Sequence, residues 1–179
     1  MIKRILKWAG IIILVLLTGV SVVTASRQHL KYDAPYPDVH ASKDTAVIAK
    51  GKHLVIGLAH CTECHSTANT DSLISSGKEV PLSGGRAFVL PVGTVYSKNI
   101  TPDKETGIGN WNEAGFINKF KQYADSNYKP IKIKAGDQQT VMPWTMYAGM
   151  DSSDIRAVYA YLKTLKPVQN KVEHWKPKS

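Results

Sequence analysis

Cysteine is scarce in this chain of 179 residues, which contains only Cys61 and Cys64. Two cysteines this close together cannot build the disulfide framework that staples small secreted domains. Acidic residues are also few, 14 against 23 Lys and Arg, so the formal net charge is +9. The sequence nevertheless contains no nucleic-acid-binding motif and no basic stripe interleaved with aromatic residues. We therefore attribute the charge to solvation and to electrostatic docking on an acidic protein partner.

The N-terminus carries a basic flank of three residues, followed by an uncharged apolar run over residues 8–25. A run of this length can just cross a bilayer as a helix. The basic flank predicts that the N-terminus stays in the cytoplasm and that the rest of the chain is exported. A cleaved signal peptide is the alternative, since residues 23–25 roughly provide a small-residue cleavage pattern. Because the run is long for a signal peptide, we favour a retained anchor over residues 1–25.

Changes in composition divide the remaining chain into three parts. Residues 26–44 contain Pro35, Pro37 and several polar residues without helical periodicity, which predicts an extended linker. Residues 45–168 are predicted to form one compact domain, and residues 169–179 a basic tail.

Apolar residues at helical spacing predict three helices in this domain. The first leads directly to Cys61, and Gly51 on its apolar side would let another helix approach closely. The second covers residues 112–124, and the last ends before Pro167. Each begins with a residue whose side chain can cap a helix: Asp44 or Thr45, Asn112, and Asp151.

The sequence Cys-Thr-Glu-Cys-His at residues 61–65 matches the C-x-x-C-H signature of covalent haem attachment. Two intervening residues set the separation at which Cys61 and Cys64 can reach two vinyl groups of one porphyrin. The next residue, His65, is then held where its imidazole can bind the iron axially. A zinc site would need a second pair of ligands at suitable spacing. A thioredoxin-like dithiol would follow a strand, whereas an apolar helix precedes this motif.

A methionine is the common partner of histidine on the iron of electron carriers. Three candidates lie within nine residues: Met142, Met146 and Met150. We favour Met142, which lies in a loop beside Pro143 and Trp144, because proline makes a helix through this position unfavourable. Met150 directly precedes the last helix and can serve as a hydrophobic staple. Two histidines on the segment of the proximal ligand are lesser alternatives: His53 and His60.

Residues 66–110 are rich in Gly, Pro, Ser, Thr and Asn and show no sustained helical period, although residues 87–90 form a short extended piece. A loop of this length is uncommon inside a compact domain unless something other than secondary structure organises it. A buried haem would do so. We therefore predict an all-α domain of about three to four helices packed around a haem with long irregular loops, preceded by one transmembrane helix.

The sequence resembles the bacterial class I monohaem cytochromes c, and is particularly similar to the cytochrome modules of membrane-bound alcohol and sugar dehydrogenases. The resemblance covers most of residues 45–168. It is carried by five segments: GKHLVIGLAHCTECH (51–65), PLSGG (81–85), SKNITPDKETGIGNW (97–111), MPWTMYAGM (142–150) and DIRAVYAYLKTLKPV (154–168).

The resemblance implies one covalent haem c, attached at Cys61 and Cys64, with iron bound by His65 and Met142. It also implies that the first and last helices cross near Gly51 and Tyr161.

In such modules the turn at residues 99–102 lies against the haem, so the resemblance implies that Asn99 and Thr101 bond a propionate, and Trp111 likewise. An ordinary turn is the alternative for residues 99–103. The chain departs from the family at residues 125–141, which lack the glycine-rich, arginine-containing run usually found before the Met-Pro pair.

These features together predict a one-electron carrier, not an enzyme, anchored by a single span in the bacterial cytoplasmic membrane with its haem domain in the periplasm. The expected partners are a redox donor and a redox acceptor protein, with neither nucleic acid nor a small-molecule substrate. One alternative is an electron-transfer subunit of a membrane-bound dehydrogenase or oxidase complex. Others are an open-site haem peroxidase or gas binder and a haem-free binding module.

Overall fold

The structure is a computed structural model that describes residues 2–27, 41–125, 128, 134, 137–138 and 140–178. The chain divides into two compact units, residues 1–35 and residues 36–179. Of the linker predicted at residues 26–44, residues 28–40 lie outside the described residues, as does part of the segment before Met142.

The first unit contains helix α1 (Ile2–Arg27). Residues 4–25 have a mean hydropathy of 2.3 and are long and apolar enough to cross a membrane. The hydroxyl groups of Thr18 and Ser21 donate to carbonyl groups one turn earlier, so these polar side chains are also satisfied within the helix. The predicted apolar helix is confirmed. Its role as an anchor or as a signal peptide stays a prediction.

The described part of the second unit is rich in helix. Its α-helices are α2 (Thr45–His53), α3 (Cys61–His65), α4 (Thr70–Ser75), α5 (Glu113–Lys121), α6 (Trp144–Ala148) and α7 (Ser152–Leu162). A π-helical turn (Leu54–Leu58) continues α2, and a 3-10 turn (Gln122–Ala124) continues α5. The predicted number of three to four helices was too low, because α3, α4 and α6 are too short to show helical periodicity.

Two of the three predicted helix caps form through their side chains. The Asp44 carboxylate accepts a hydrogen bond of 2.8 Å from the Ala46 N–H at the start of α2. Asn112 caps α5 in the same way, accepting 2.7 Å from the Gly115 N–H. Asp151 occupies the N-cap position of α7 through its backbone, and its side chain forms no capping bond.

Helices α2 and α7 cross at Gly51, as predicted. A β-carbon at Gly51 would lie 1.9 Å from the Ala157 carbonyl oxygen and 2.8 Å from the Tyr161 β-carbon. This position therefore accepts glycine alone while the two helices keep their separation. Around the crossing, α7 buries every residue from 157 to 162 and forms the centre of the core with Val55, Leu82 and Phe116.

A small antiparallel sheet corrects the all-α prediction. Its strands are β1 (Ala87–Leu90), β2 (Gly93–Tyr96) and β3 (Trp175–Pro177), in the order β1-β2-β3. Val95 faces Phe88 on one side and Trp175 on the other. Strand β3 belongs to the segment predicted as a basic tail. Three residues are too few to show the alternation typical of a strand, and the strand pairs with residues about 80 positions earlier.

Candidate functional site

The two cysteines and His65 lie together on α3, which is a single helical turn. Residues three positions apart on a helix share one face, so Cys61 and Cys64 point to the same side. The chain enters α3 through His60, whose φ of 47° is left-handed and uncommon for a residue with a side chain. The two thiols are not joined by a disulfide. Burial raises the pKa of the Cys61 thiol to about 12, so it stays protonated at neutral pH.

One imidazole nitrogen of His65 is hydrogen-bonded, and the other has no hydrogen-bond partner among the residues that the structure describes. Its Nδ1 lies 2.7 Å from the Lys98 carbonyl oxygen, which can only accept, so Nδ1 carries the proton. Burial lowers the pKa of His65, and the hydrogen bond to Lys98 opposes this shift only in part. The ring is therefore neutral, with its Nε2 lone pair available to a metal, as an axial ligand requires.

The turn at residues 81–85 packs against the backbone of His65 and of Lys98. The Gly84 N–H donates 2.8 Å to the His65 carbonyl oxygen. Gly84 has a φ of +73°, and a β-carbon there would lie 2.5 Å from the Lys98 carbonyl carbon. Gly84 thus contacts both the backbone of His65 and the carbonyl group that orients the His65 ring. Sequence reasoning did not place Gly84 in the site. The adjacent glycines at 84 and 85 could have indicated a tight turn there.

Glu63, inside the attachment motif, connects α3 to its neighbours. Its carboxylate accepts 2.7 Å from the Thr70 hydroxyl at the start of α4. Arg86, which precedes β1, donates to the Glu63 carbonyl and lies 3.7 Å from the carboxylate. The motif is therefore fixed from two sides.

A small, partly open apolar cavity lies beside the attachment motif. Its walls come from α3 and the chain just before it, from α5 and α7, and from the α6 segment, defined as residues 142–150. The lining residues are Ala59, Cys61, Phe120, Met142, Tyr147, Met150, Ile155 and Val158. Met142 and Met150 both line it, whereas Met146 is 76% exposed and does not. His53 and His60 are exposed.

The residues present fit a c-type haem. Two thiols on one helical face can bond covalently to the porphyrin, and a neutral imidazole nitrogen and a thioether are donors that its iron takes. The structure brings Cys61 and Met142 to one cavity although 81 positions separate them. Apolar walls provide the low-polarity surroundings that a porphyrin ring needs.

The structure places the three predicted propionate-binding residues outside the cavity lining. Asn99 and Thr101 are buried, and their polar groups bond to protein. The Asn99 amide donates 2.7 Å to the Val168 carbonyl, and its oxygen accepts 2.8 Å from the Thr101 hydroxyl. These bonds fasten the loop to the chain after α7. Trp111 is 41% exposed and packs edge-on against Phe116. Contact of the three with a haem propionate stays a prediction.

Sequence reasoning missed two residues beside the cavity. The Tyr147 hydroxyl donates 2.6 Å to the Ala59 carbonyl, two residues before Cys61. The Lys121 ammonium donates to the carbonyls of Ala148 and Met150. Because all three acceptors are backbone carbonyl groups, only the closeness of Tyr147 to the Met-Pro pair could have indicated its role.

Known proteins match the part of the chain that contains these residues. The cytochrome c family profile matches residues 48–166. The cytochrome c subunit of the quinone alcohol dehydrogenase of Gluconobacter oxydans is 34% identical over 131 residues, covering 72% of this chain and 24% of that protein. The fructose dehydrogenase cytochrome subunit of Gluconobacter japonicus is 30% identical, covering 75% and 24%. The gluconate 2-dehydrogenase cytochrome c subunit of Pantoea cypripedii is 33% identical, covering 65% and 22%.

The chain thus spans about a quarter of the length of these relatives. The matched region contains the attachment motif, the residues that orient His65 and all three candidate methionines. The chain belongs to the cytochrome c family.

Proposed function

We propose that this protein is a one-electron carrier that holds a single haem c between His65 and Met142. The observation that carries the proposal is the cavity shared by Cys61 and Met142. It joins the attachment motif to a thioether from the far end of the domain.

Each residue has a definite part in this proposal. The thiols of Cys61 and Cys64 form thioethers with the porphyrin, which keeps the cofactor in an exported protein. The Lys98 carbonyl accepts the Nδ1 proton of His65, so that Nε2 would be available to the iron as a neutral donor. The bound haem supplies one-electron chemistry at its iron. Two protein ligands on that iron leave no position for a substrate, so the protein transfers electrons without transforming a small molecule.

Met142 is favoured over Met150 on local structure. Met142 lies in non-helical chain before Pro143, where its side chain can turn towards the cavity without disturbing a helix. Met150 directly precedes the Asp151 cap of α7 and packs against the core. Its backbone carbonyl is also bonded to Lys121.

We further propose that the haem domain lies on the periplasmic side of the membrane, with α1 as its anchor. The relatives named above are cytochrome subunits of dehydrogenases, so a dehydrogenase is the natural electron donor. The net charge of +9 suits docking on an acidic redox protein, with a rate that falls as salt rises. One C-x-x-C-H motif implies one haem in this chain.

A second candidate is a permanent subunit of a dehydrogenase or oxidase complex. The relatives favour it, because all three named above are called cytochrome subunits. Purification in mild detergent separates the two proposals, since a free carrier elutes alone and a subunit elutes with its catalytic partner.

The ligand set is tested by absorption spectroscopy of haem-loaded protein and three methionine variants. The ferric protein should show the weak near-infrared band of methionine-bound haem. Met142→Ala should abolish this band, whereas Met146→Ala, at an exposed position outside the cavity, should retain it.

Loss of the band in Met150→Ala alone would transfer the ligand role to Met150. No band in any of the proteins, with a spectrum that Met142→Ala leaves unchanged, would indicate an open-site peroxidase or gas binder instead. Protein that stays colourless after expression with a cytochrome c maturation system would contradict the whole proposal.

A further inference from the structure

The α6 segment, residues 142–150, is attached to the rest of the domain by two long-range polar tethers. Tyr147 donates 2.6 Å to the Ala59 carbonyl, 88 positions earlier in the chain. Lys121, at the end of α5, donates 3.0 Å to the Ala148 carbonyl and also to the Met150 carbonyl. One tether reaches the attachment side of the cavity, and the other reaches α5.

The α6 segment has little regular secondary structure of its own, so contacts with other elements are needed to keep it in place. Helix α6 has five residues, and helices of this length are not stable by themselves. Its backbone bonds are local, for example from the N–H groups of Met146 and Tyr147 to the Pro143 carbonyl. Trp144 packs on Phe120 and Tyr123, with ring centroids 5.5 Å and 5.3 Å away. Such ring contacts are less directional than hydrogen bonds, so they permit small shifts of the segment.

Both tethers are hydrogen bonds whose donors are expected to keep their protons at neutral pH. Burial raises the pKa of Tyr147, so its hydroxyl keeps the proton that it donates to Ala59. The Lys121 ammonium binds two carbonyls at the C-terminal end of α6, where helix carbonyls lack partners within the helix. A cation at this end is also favoured by the helix dipole.

We propose that Tyr147 and Lys121 are positioning residues that hold Met142 at the iron. The inference rests on the proposed function, in which Met142 is the sixth ligand. Because Tyr147 ends on the carbonyl two residues before Cys61, its bond sets the distance between the methionine segment and the attachment motif. Without either tether the segment opens more often, and the iron–sulfur bond breaks more readily.

The chain offers matched controls whose hydrogen bonds do not involve the α6 segment. Tyr159 donates 2.6 Å to the Trp111 carbonyl, and burial raises its pKa as well. Lys163 donates 2.8 Å to the Gly109 carbonyl. Tyr159→Phe and Lys163→Gln therefore delete the same kinds of bond as Tyr147→Phe and Lys121→Gln. They do so without touching the α6 segment.

The experiment titrates imidazole into the ferric haem-loaded full chain and follows the loss of the near-infrared methionine band. Imidazole can bind only when the methionine has left, so its apparent affinity reports the open fraction. We expect Tyr147→Phe to raise this affinity about fivefold, since a hydrogen bond of this kind contributes a factor of that size. Lys121→Gln should raise it about tenfold, because its donor is charged. Tyr159→Phe and Lys163→Gln should change it less than about twofold.

Each outcome decides one claim. Equal affinities in the Tyr147 and Tyr159 variants, measured with an intact band in the unmodified chain, would refute the tethers and leave the ligand set standing. An unmodified chain without the band would refute the ligand set itself. If Lys121→Gln does not accumulate, Lys121→Arg should restore the unmodified affinity. A Lys121→Arg affinity as high as that of Tyr147→Phe would contradict the role of the ammonium.

Discussion

Asp103 shows how one carboxylate can organise a long irregular loop. Its Oδ1 accepts 2.7 Å from the Thr106 hydroxyl, 2.7 Å from the Thr106 N–H and 3.2 Å from the Glu105 N–H. Its own carbonyl accepts from the N–H groups of Gly107 and Gly109. The same Thr106 hydroxyl accepts 2.9 Å from the buried Asn99 amide. The carboxylate therefore orders a loop that lacks regular secondary structure.

The ionisation of the Asp103 carboxylate should make the free energy of unfolding depend on pH. The bond from the Thr106 hydroxyl, followed by that from its N–H, holds the pKa of Asp103 below its usual value of 3.8. Because the folded pKa lies below the unfolded one, the stabilisation is present above the usual pKa and is lost as the pH falls through the folded value. We expect Asp103→Asn to lower the denaturation midpoint at neutral pH, with a difference that shrinks in acid.

Urea denaturation at neutral pH and below the usual aspartate pKa measures this difference. Asp71→Asn, which removes an exposed carboxylate in α4, is the control for charge alone. A deficit of the Asp103 variant that is the same at both pH values would show that the carboxylate acts through shape and not through its ionisation.

The crossing of α2 and α7 is the element-scale feature that positions the site. Helix α2 continues through the π-helical turn to α3, so the angle at Gly51 decides where Cys61 and His65 lie against α7. Ile155 and Val158 of α7 line the cavity on the other side. A small displacement at the crossing is therefore transmitted to the haem-attachment motif.

Substitution at the crossing should be costly. Gly51→Ala would place a methyl group 1.9 Å from the Ala157 carbonyl oxygen, which forces the helices apart. We expect a loss of about 1–3 kcal/mol in the free energy of unfolding, as for other overpacked cores. Thermal or urea denaturation of the haem-loaded protein measures it.

Gly57→Ala is the matched control for this variant. A β-carbon at Gly57 would meet its nearest atom, in the His53 ring, at 3.8 Å. Alanine is the better helix former, so the control should be neutral or gain up to about 1 kcal/mol. Equal stability losses in the two variants would show that the close approach at Gly51 is not the cause.

At the scale of the whole molecule, the chain divides into a unit that contains an apolar helix long enough to cross a membrane and a unit that contains the cytochrome c domain. The two units are compact on their own, and the apolar face that the second unit buries lies around α7. The haem site draws all its described residues from the second unit. Attachment to the membrane and binding of haem should therefore be independent properties.

This independence can be measured. We expect the full chain to stay in the membrane fraction after washing with concentrated salt, because an apolar helix is held by burial and not by charge. Replacing residues 1–25 with a cleavable export signal should release the protein into the periplasm with an unchanged absorption spectrum. Intact mass determination is the control for processing. A native protein that begins after Ala25 and is recovered in the soluble fraction would identify the apolar run as a signal peptide.

The sequence alone determined the features whose cause is local. The spacing of Cys61, Cys64 and His65 depends on one helical turn, the helix starts at Asp44 and Asn112 depend on residues two or three positions away, and the apolar run of α1 depends on composition. Short helices and short strands carry too few residues for a periodic signal. The prediction therefore undercounted the helices and, of the sheet, contained only the extended piece at residues 87–90, which is β1.

Tertiary structure alone decided which atoms meet across the chain. Lys98 orients His65, Tyr147 reaches Ala59, and Lys121 holds Met150, in each case through a backbone carbonyl. Every residue has a carbonyl group, so no amino-acid pattern identifies the one that accepts. Likewise, the sequence favoured Met142 because of its neighbour Pro143, but only the folded chain lines the cavity with Met142 and Met150 and exposes Met146. The sequence supplies the donors of the site, and packing over long separations selects their partners.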